Sequence, residues 1–366
     1  MKTLGDILSV KHGKDYKGQS NQIGKYPVMG TGGIITYIDS FMCDWECVCI
    51  GRKGTINKPI YMSEPFWSVD TLFFTQPQKG ENPKFQYYLF ETINWLLHNE
   101  ASGVPSLSAS VIANIKKAIP TIQEQNKIAA FFTVIDTLIN KQNNLVESLK
   151  LYKRGVSEAI FSKKINFGCS NASWDFYTME DLGYFYNGLS GKGKGDFGTG
   201  NSEFITYMNV YKNPISEITM CEVVNVSENE KQNKVQYGDV LFSQSSETLE
   251  EVGMSSVWLH ETTPYLNSFC FGFRFHNPEN IYPLYIAYYM RSQEIRRGIM
   301  REGQGATRIN LSAERMKGLQ LALPDIESQK KIGNFLFCFD KQIINAEAIL
   351  NETLELRKSL LQKMFI

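Results

Sequence analysis

Two long stretches of this chain place apolar residues at helical spacing, and they are written in nearly the same words. In the first, Ile128, Phe131, Ile135, Leu138, Leu145, Leu149, Tyr152 and Val156 recur three and four residues apart, with Gln142 as a polar member. That spacing predicts a helix with a coiled-coil seam. In the second, Ile332, Phe335, Phe339, Ile343, Ile349, Leu356 and Leu360 form a comparable stripe that drifts, which suits an imperfect antiparallel partner. At 1.5 Å per residue, about 40 residues of helix reach roughly 60 Å, longer than a globule needs for its own core. The alternative, two ordinary amphipathic helices of a bundle, would need further helices of the same kind, and the pattern supplies none.

An offset of 204 carries one stretch onto the other without a gap: Leu107 onto Leu311, Pro120 onto Pro324, Gln125 onto Gln329, Asp136 onto Asp340 and Phe161 onto Phe365. The chain is therefore read as an internal repeat. Each copy runs through an extended piece ending at proline into a polar turn that opens the helix. Ahead of each helix lie short Val/Ile/Phe/Tyr strands and glycine turns. Trp67 to Phe74 and Ser268 to Phe275 read as matching strands, followed by helical PKFQYYLFETINWLL and YPLYIAYYMRSQEIRRGI, then by a glycine loop. TLGDI at Thr3 echoes TMEDLG at Thr178, so the second globule is the longer by 29 residues. The expected organisation is a globule at 1–120, a helix at 121–167, a globule at 168–324 and a helix at 325–366. This is an α+β chain: two mixed α/β globules, two long antiparallel coiled-coil helices and pseudo-twofold internal symmetry.

Composition narrows the classes. With 366 residues, 43% of them hydrophobic and 21% charged, the chain is globular and large enough for two cores. No apolar run is long enough to span a bilayer, and the start has too short an apolar stretch for a signal peptide, so an intracellular location is expected. The formal net charge of zero argues against coating nucleic acid by bulk charge but leaves room for a local basic face. Arg291, Arg296, Arg297, Arg301, Arg308 and Arg315 supply one, with part of that run expected to pair with Glu294 and Glu302. Cys43, Cys47 and Cys49 lack zinc-site spacing and read as small buried residues on a strand. His12, His98, His260 and His276 fall in no metal-binding motif.

Catalytic patterns fail one by one. GLSGKGK at Gly188 to Lys194 resembles a phosphate loop, but Gly195 stands where Ser or Thr must hold magnesium. Lys192 and Lys194 suit either a basic loop near a phosphate backbone or a plain surface loop. The chain has no Pro-Pro pair for the tetrapeptide with which a DNA methyltransferase holds its flipped base, and Pro324–Asp325 lacks the acid and lysine that a metal-dependent nuclease needs after it.

Two variable globules, each closed by Leu-Ser, a short extended piece to Pro, then Gln-x-Lys-Ile and a long helix with a basic end, resemble the specificity subunit of a type I restriction-modification system. YPVMGTGGIITYI at Tyr26 and VCIGRKGTINKPIY at Val48 are similar to one class of its target recognition domains, and FITYMNV at Phe204 with GDVLFSQSS at Gly238 to another. The resemblance implies a non-catalytic, cytoplasmic prokaryotic protein. It would read an asymmetric bipartite site on double-stranded DNA and position two methyltransferase subunits and any restriction subunits. No cofactor is expected in this chain; S-adenosylmethionine belongs to the methyltransferases, and ATP and Mg to any restriction subunit. The helices would pair through Ile128, Phe131, Ile135, Gln142 and Leu149 on one side and Ile332, Phe335, Phe339, Ile343 and Leu356 on the other.

Within that resemblance, residue chemistry nominates the readers. Arg52 and Lys53, between Gly51 and Gly54, offer a fork for guanine and a charge for phosphate. Thr31 with the amides of Gly32 and Gly33 suits either a groove contact or a simple tight turn. Ser106 precedes the repeated Leu-Ser; Gln304, Thr307 and Arg308 bring amide, hydroxyl and guanidinium to one loop, and Ser243, Gln244 and Ser245 follow a strand. The rival reading is a coiled-coil adaptor for protein assembly without DNA readout.

Overall fold

The structure, a computed structural model, describes residues 1–18, 24–165 and 174–365. It forms two compact units, Met1–Asn144 with Glu347–Ile366, and Leu145–Ala346. The expected boundaries at 120 and 324 fall in the turns just before two long helices, Ile122–Phe161 and Ile326–Met364. The one at 167/168 lies outside the described residues. Each long helix gives one half to each unit.

In the first unit an antiparallel sheet runs Leu8–His12, Leu72–Pro77, Cys47–Gly51, Ile60–Met62. A smaller sheet runs Gly33–Ile38, Tyr26–Gly30, Trp67–Ser68, its last pairing parallel. The strand Cys47–Gly51 is buried at every position because both faces are covered: Val48 and Ile50 join one core, Cys47 and Cys49 another. The helix Pro83–Glu91 starts where Asn82 Oδ1 accepts from the Phe85 amide at 2.8 Å, with proline in its first turn.

The second unit repeats this order with Gly183–Asn187, Cys270–Phe275, Val240–Ser243, Ser255–Val257, and a smaller sheet Cys221–Val224, Phe197–Ile205, Tyr265–Leu266. Both units open on the same capping box: the Thr3 amide donates to Asp6 Oδ2 at 2.7 Å, and the Thr178 amide to Asp181 Oδ2 at 2.8 Å. Three expected elements are divided. Trp67 to Phe74 becomes Trp67–Ser68 and Leu72–Pro77, the first helical phrase becomes Pro83–Glu91 and a short 3-10 turn Trp95–His98, and the second becomes Pro283–Tyr289 and Gln293–Glu302, the latter capped by Ser292.

The long helices are tied to the globules by polar contacts repeated at the 204-residue offset. Gln125 Oε1 accepts from the Asn82 amide at 3.1 Å and Gln329 Oε1 from the Tyr282 amide at 2.9 Å; their Nε2 groups donate to Pro120 O and Pro324 O. The Tyr88 hydroxyl donates to Asp136 Oδ2 at 2.7 Å, and that of Tyr288 to Asp340 Oδ2 at 2.6 Å. Each carboxylate also meets a cation from the other long helix, Asp136 with Arg357 and Asp340 with Lys153. Phe365 stacks on Phe85 in one unit and Phe161 packs on Tyr285 and Tyr289 in the other. Within the first unit, the early part of the first long helix thus meets the late part of the second, and within the second unit the reverse holds.

The apolar stripe needs a correction. Phe131 is 44% exposed and Leu356 56%, and Leu138, Leu145, Tyr152 and Ile349 are exposed as well. The buried line runs instead through Ala129, Phe132, Val146, Ile160, Phe161, Leu336, Ala346 and Leu361, together with the expected Ile332 and Ile343. Ile128, Ile135, Gln142, Leu149, Phe335 and Phe339 are half-buried. One residue of phase turns a helix by about 100°, and here the globule sets the phase: Tyr88 packs against Phe132, 5.1 Å between ring centroids, while also bonding Asp136 one turn on.

Replacing Asp340 by Asn should cost about 1–3 kcal/mol, because a half-buried hydrogen-bonded charge pair is broken. Among the described residues Lys153 keeps only the Tyr288 ring, 4.8 Å away. Asp136→Asn should cost less, since Arg357 stays paired with Glu91 at 2.7 Å. Chemical denaturation of the two variants tests the order; equal losses would contradict it.

Candidate nucleic-acid interface

In the first unit the central strand emerges at Gly51, where a Cβ would stand 2.0 Å from the Thr55 carbonyl oxygen, so only glycine fits. Arg52 comes next. Its amide donates to Thr71 O at 2.8 Å, its carbonyl accepts from the Leu107 amide at 2.9 Å, and its Nη1 donates to Asp70 O at 3.3 Å. Lys53 is exposed and pairs with Ser106 in an isolated antiparallel bridge; Gly54, at φ +90°, donates to Pro105 O at 2.8 Å. The Thr31 hydroxyl stands 3.8 Å from where a Gly54 Cβ would be, and Gly32 and Gly33 face open space. Thr31, Gly32, Gly33, Arg52, Lys53 and Ser106, scattered over the first 106 residues, thus form one loop cluster. Gly33, at φ +115°, also closes the hairpin between Tyr26–Gly30 and Gly33–Ile38, which is the geometry of the tight-turn reading.

The second unit builds the corresponding edge with different residues. The Leu311 amide donates to Gln244 O at 2.8 Å, as that of Leu107 does to Arg52 O, and Ser245 pairs with Asn310 as Lys53 does with Ser106. Gln304 and Asn310 exchange backbone hydrogen bonds at 2.9 and 2.7 Å, closing a loop whose Thr307 and Arg308 are exposed. Gln244, Ser245, Gln304, Thr307 and Arg308 therefore share one edge.

Several candidates lie elsewhere. Ser243 is fully buried, since both faces of its strand are covered, and it cannot reach a base edge. Lys192 is not an open cation. Its ammonium is almost wholly buried, 2.6 Å from a Glu230 carboxylate oxygen and 2.6 Å from Asn225 O, so the glycine-lysine loop is an internally braced turn packed against Asn225 to Gln232. Lys194 on the same loop is exposed. The arginine run is also divided. Arg296 donates to Glu250 O, Val252 O and Gly253 O, and Arg291 to Val210 O, Tyr211 O, Asn213 O and Ser255 O. Arg296 is buried and Arg291 half-buried, and desolvation lowers each to about 10. Arg315 pairs with Glu302 at 3.7 Å.

Residue patterning missed a cleft beside this second edge, between the helix Tyr207–Lys212 and the segment Ser245–Glu251. The available signal was Thr206, which caps that helix by accepting from the Asn209 amide at 3.2 Å, ahead of exposed Met208. Among the described residues no group of three or more His, Cys, Asp or Glu is placed to hold a metal ion, and no helix is long and apolar enough to cross a membrane. Cys43 and Cys47 lie 3.8 Å apart, sulfur to sulfur, and both thiols are pushed up, Cys43 first by its bond with Cys47 and then by burial.

The family model described as the type I restriction modification DNA specificity domain matches residues 1–148 and 171–356. The chain belongs to this family. It is 26% identical over 145 residues to the type I restriction enzyme EcoprrI specificity subunit of Escherichia coli, covering 38% of this chain and 36% of that protein. It is 23% identical over 120 residues to the MjaVIII specificity subunit of Methanocaldococcus jannaschii, covering 32% of this chain and 26% of that one. The aligned chain therefore spans roughly a third of these relatives' length. Among solved structures, the S subunit of M. genitalium matches with TM-score 0.62 at 16% identity over 100% of this chain and 95% of its own. The HsdS subunit of Thermoanaerobacter tengcongensis matches with TM-score 0.50 at 12% identity over 99% and 95%. At these identities the likeness establishes a shared fold. Specificity subunits of type I systems are in general non-catalytic, and target recognition follows from the family.

The Lys192 pairing has a measurable consequence. Glu230 is held down from 4.5 to about 2, first by the Lys192 hydrogen bond and then by the Ser227 amide. A depressed carboxylate stabilises the loop above its ordinary value, and that contribution is lost as pH falls from about 4.5 through 2. A carboxyl NMR titration should give Glu230 a midpoint near 2 in the native chain and return it toward 4.5 in Lys192→Ala. An unchanged midpoint in the variant would contradict the assignment.

Proposed function

We propose that this chain is the address-reading subunit of a type I restriction-modification complex, with no chemical step of its own. The observation that carries the reading is the loop cluster built at the same place in both units, at the end of the central strand, on the fold of this family. In the first unit it presents Arg52, Lys53, Thr31 and Ser106; in the second, Gln244, Ser245, Gln304, Thr307 and Arg308. Unlike side chains on like frames favour an asymmetric, bipartite site on double-stranded DNA.

Arg52 suits guanine and Gln244 adenine, whereas exposed Lys53 suits phosphate. The long helices act as an antiparallel coiled-coil spacer that sets the gap between half-sites. Their exposed apolar residues, Phe131, Leu138, Leu145 and Tyr152 on one and Ile344, Ile349 and Leu356 on the other, are suited to docking protein partners. Those partners are two methyltransferase subunits arranged with pseudo-twofold symmetry, joined by any restriction subunits, in the cytoplasm of a prokaryote. S-adenosylmethionine is bound by the methyltransferases, and ATP and Mg by any restriction subunit. The same exposed residues favour the adaptor reading as runner-up, and DNA affinity separates the two.

An adenine methylation map from cells carrying this chain with its methyltransferase should show a split, asymmetric motif that is absent with the methyltransferase alone. Lys53→Ala should weaken binding across all sequences and reduce the salt dependence by about one counterion, whereas Arg52→Ala should relax one position of the motif by about 1–3 kcal/mol. Inserting about one helical turn in the first long helix should widen the gap by one or two base pairs, from 5.4 Å per turn and 3.4 Å per base step. No motif beside an intact complex would favour the adaptor, and an unaltered gap would remove the spacer role.

A further inference from the structure

The cleft in the second unit has a volume of about 460 Å³. On one wall the rings of Tyr207 and Tyr211 stack, 6.0 Å between centroids and 12° between planes. Both phenols reach across: the Tyr207 hydroxyl donates to Ser245 O at 2.7 Å, and the Tyr211 hydroxyl to Glu251 Oε1 at 2.5 Å. Met208, Ser246, Glu247, Arg308 and Phe269, the last 62% exposed, also line it beside the edge already described. The Glu251 carboxylate is thus fixed in direction by one oxygen, and its second oxygen remains an acceptor. The hydrogen bond to Glu251 raises the Tyr211 hydroxyl, which stays protonated and donating.

Two inward-turned guanidiniums hold these walls. Arg291 bridges the carbonyls that end the Tyr207–Lys212 helix to Ser255, and Arg296 gathers the carbonyls of Glu250, Val252 and Gly253, on either side of Glu251. Among the described residues their partners are all backbone oxygens. Burying a charge against carbonyls alone is costly, and what it secures is the position of two surface segments. A carboxylate facing DNA is repelled by phosphate unless a donor meets it. In the major groove the donors are the amino groups of adenine and cytosine, and adenine sets its N7 lone pair beside N6 whereas cytosine has no acceptor beside N4. The guanine across a C·G pair offers O6 and N7, the acceptors that suit Arg308 in the same cleft.

We propose that Glu251, oriented by Tyr211, is a specificity-determining residue that accepts a hydrogen from the cytosine N4 amino group in the half-site read by the second unit. The inference rests on the DNA-reading proposal above and names one base of its target.

The experiment uses the full chain with its methyltransferase. The native motif should contain a C·G pair in one half-site, and Glu251→Gln should relax the methylation map at that position alone, by about tenfold, leaving the other half-site unchanged. A duplex in which that cytosine is replaced by pyrimidin-2-one, which lacks the amino group, should bind the native complex about tenfold more weakly and should bind the Glu251→Gln complex no more weakly than the natural duplex does. The pyrimidin-2-one result on the native complex stands even where the variant does not fold. A native half-site without a C·G pair, an unchanged Glu251→Gln map, or native binding indifferent to the missing amino group would overturn the inference. Absence of any motif from the native chain would instead overturn the DNA-reading proposal itself.

Discussion

Each globule is fastened to the long helices through one partly buried carboxylate that answers to two masters. Asp136 accepts from Tyr88 of the first globule and pairs with Arg357 of the other long helix; Asp340 does the same with Tyr288 and Lys153. Such a group cannot slide. A shift along either helix would leave a carboxylate short of its hydrogen bond or a cation short of its partner, at a cost well above that of an imperfect apolar contact. Gln125 and Gln329 add a second directional anchor one helix start earlier, each holding the backbone at the base of its globule's helix. The central strands and the loops at their ends are built on that anchored frame.

The same packing decides which cations of a chain with no net charge remain at the surface. Several of its basic groups in the second globule are structural: Arg291 and Arg296 are spent on carbonyls, Lys192 on Glu230 and Arg274 on the buried Asp239 through paired hydrogen bonds at 2.9 and 2.7 Å. Among the exposed ones, Lys53 in one loop cluster and Arg308 in the other sit on loops whose backbone is fixed by cross-strand bonds. Few charges held in place favour discrimination between sequences over adhesion to any of them.

The two loop clusters occupy equivalent places yet share little chemistry. Arg52 corresponds to Gln244 and Ser106 to Asn310, while the bonds beneath them are the same. The second unit's extra residues include the Tyr207–Lys212 helix and the cleft beside it, for which the first unit has a hairpin at Gly30–Gly33. At these loops frame and displayed side chains are separable, because the bonds beneath them are made by backbone groups that any residue carries.

Sequence by itself determined the repeat, the two long helices, the paired globules and which loops carry Arg52, Lys53, Gln304, Thr307 and Arg308, since periodicity, capping residues and glycine turns are local properties read over a few residues. It also held the anchors in plain view, because Gln125, Asp136 and their copies recur at a fixed offset. Tertiary structure decided what local patterns leave open. Phe132 rather than Phe131 faces inward because Tyr88 packs from the side, and Ser243 is buried because a second core covers the face that alternation would leave open. Lys192 and Arg296 are spent inside because Glu230 and the Glu250 to Gly253 carbonyls, distant in sequence, are close in space. A charged side chain's role depends on the partner that reaches it first, and long-range packing chooses that partner.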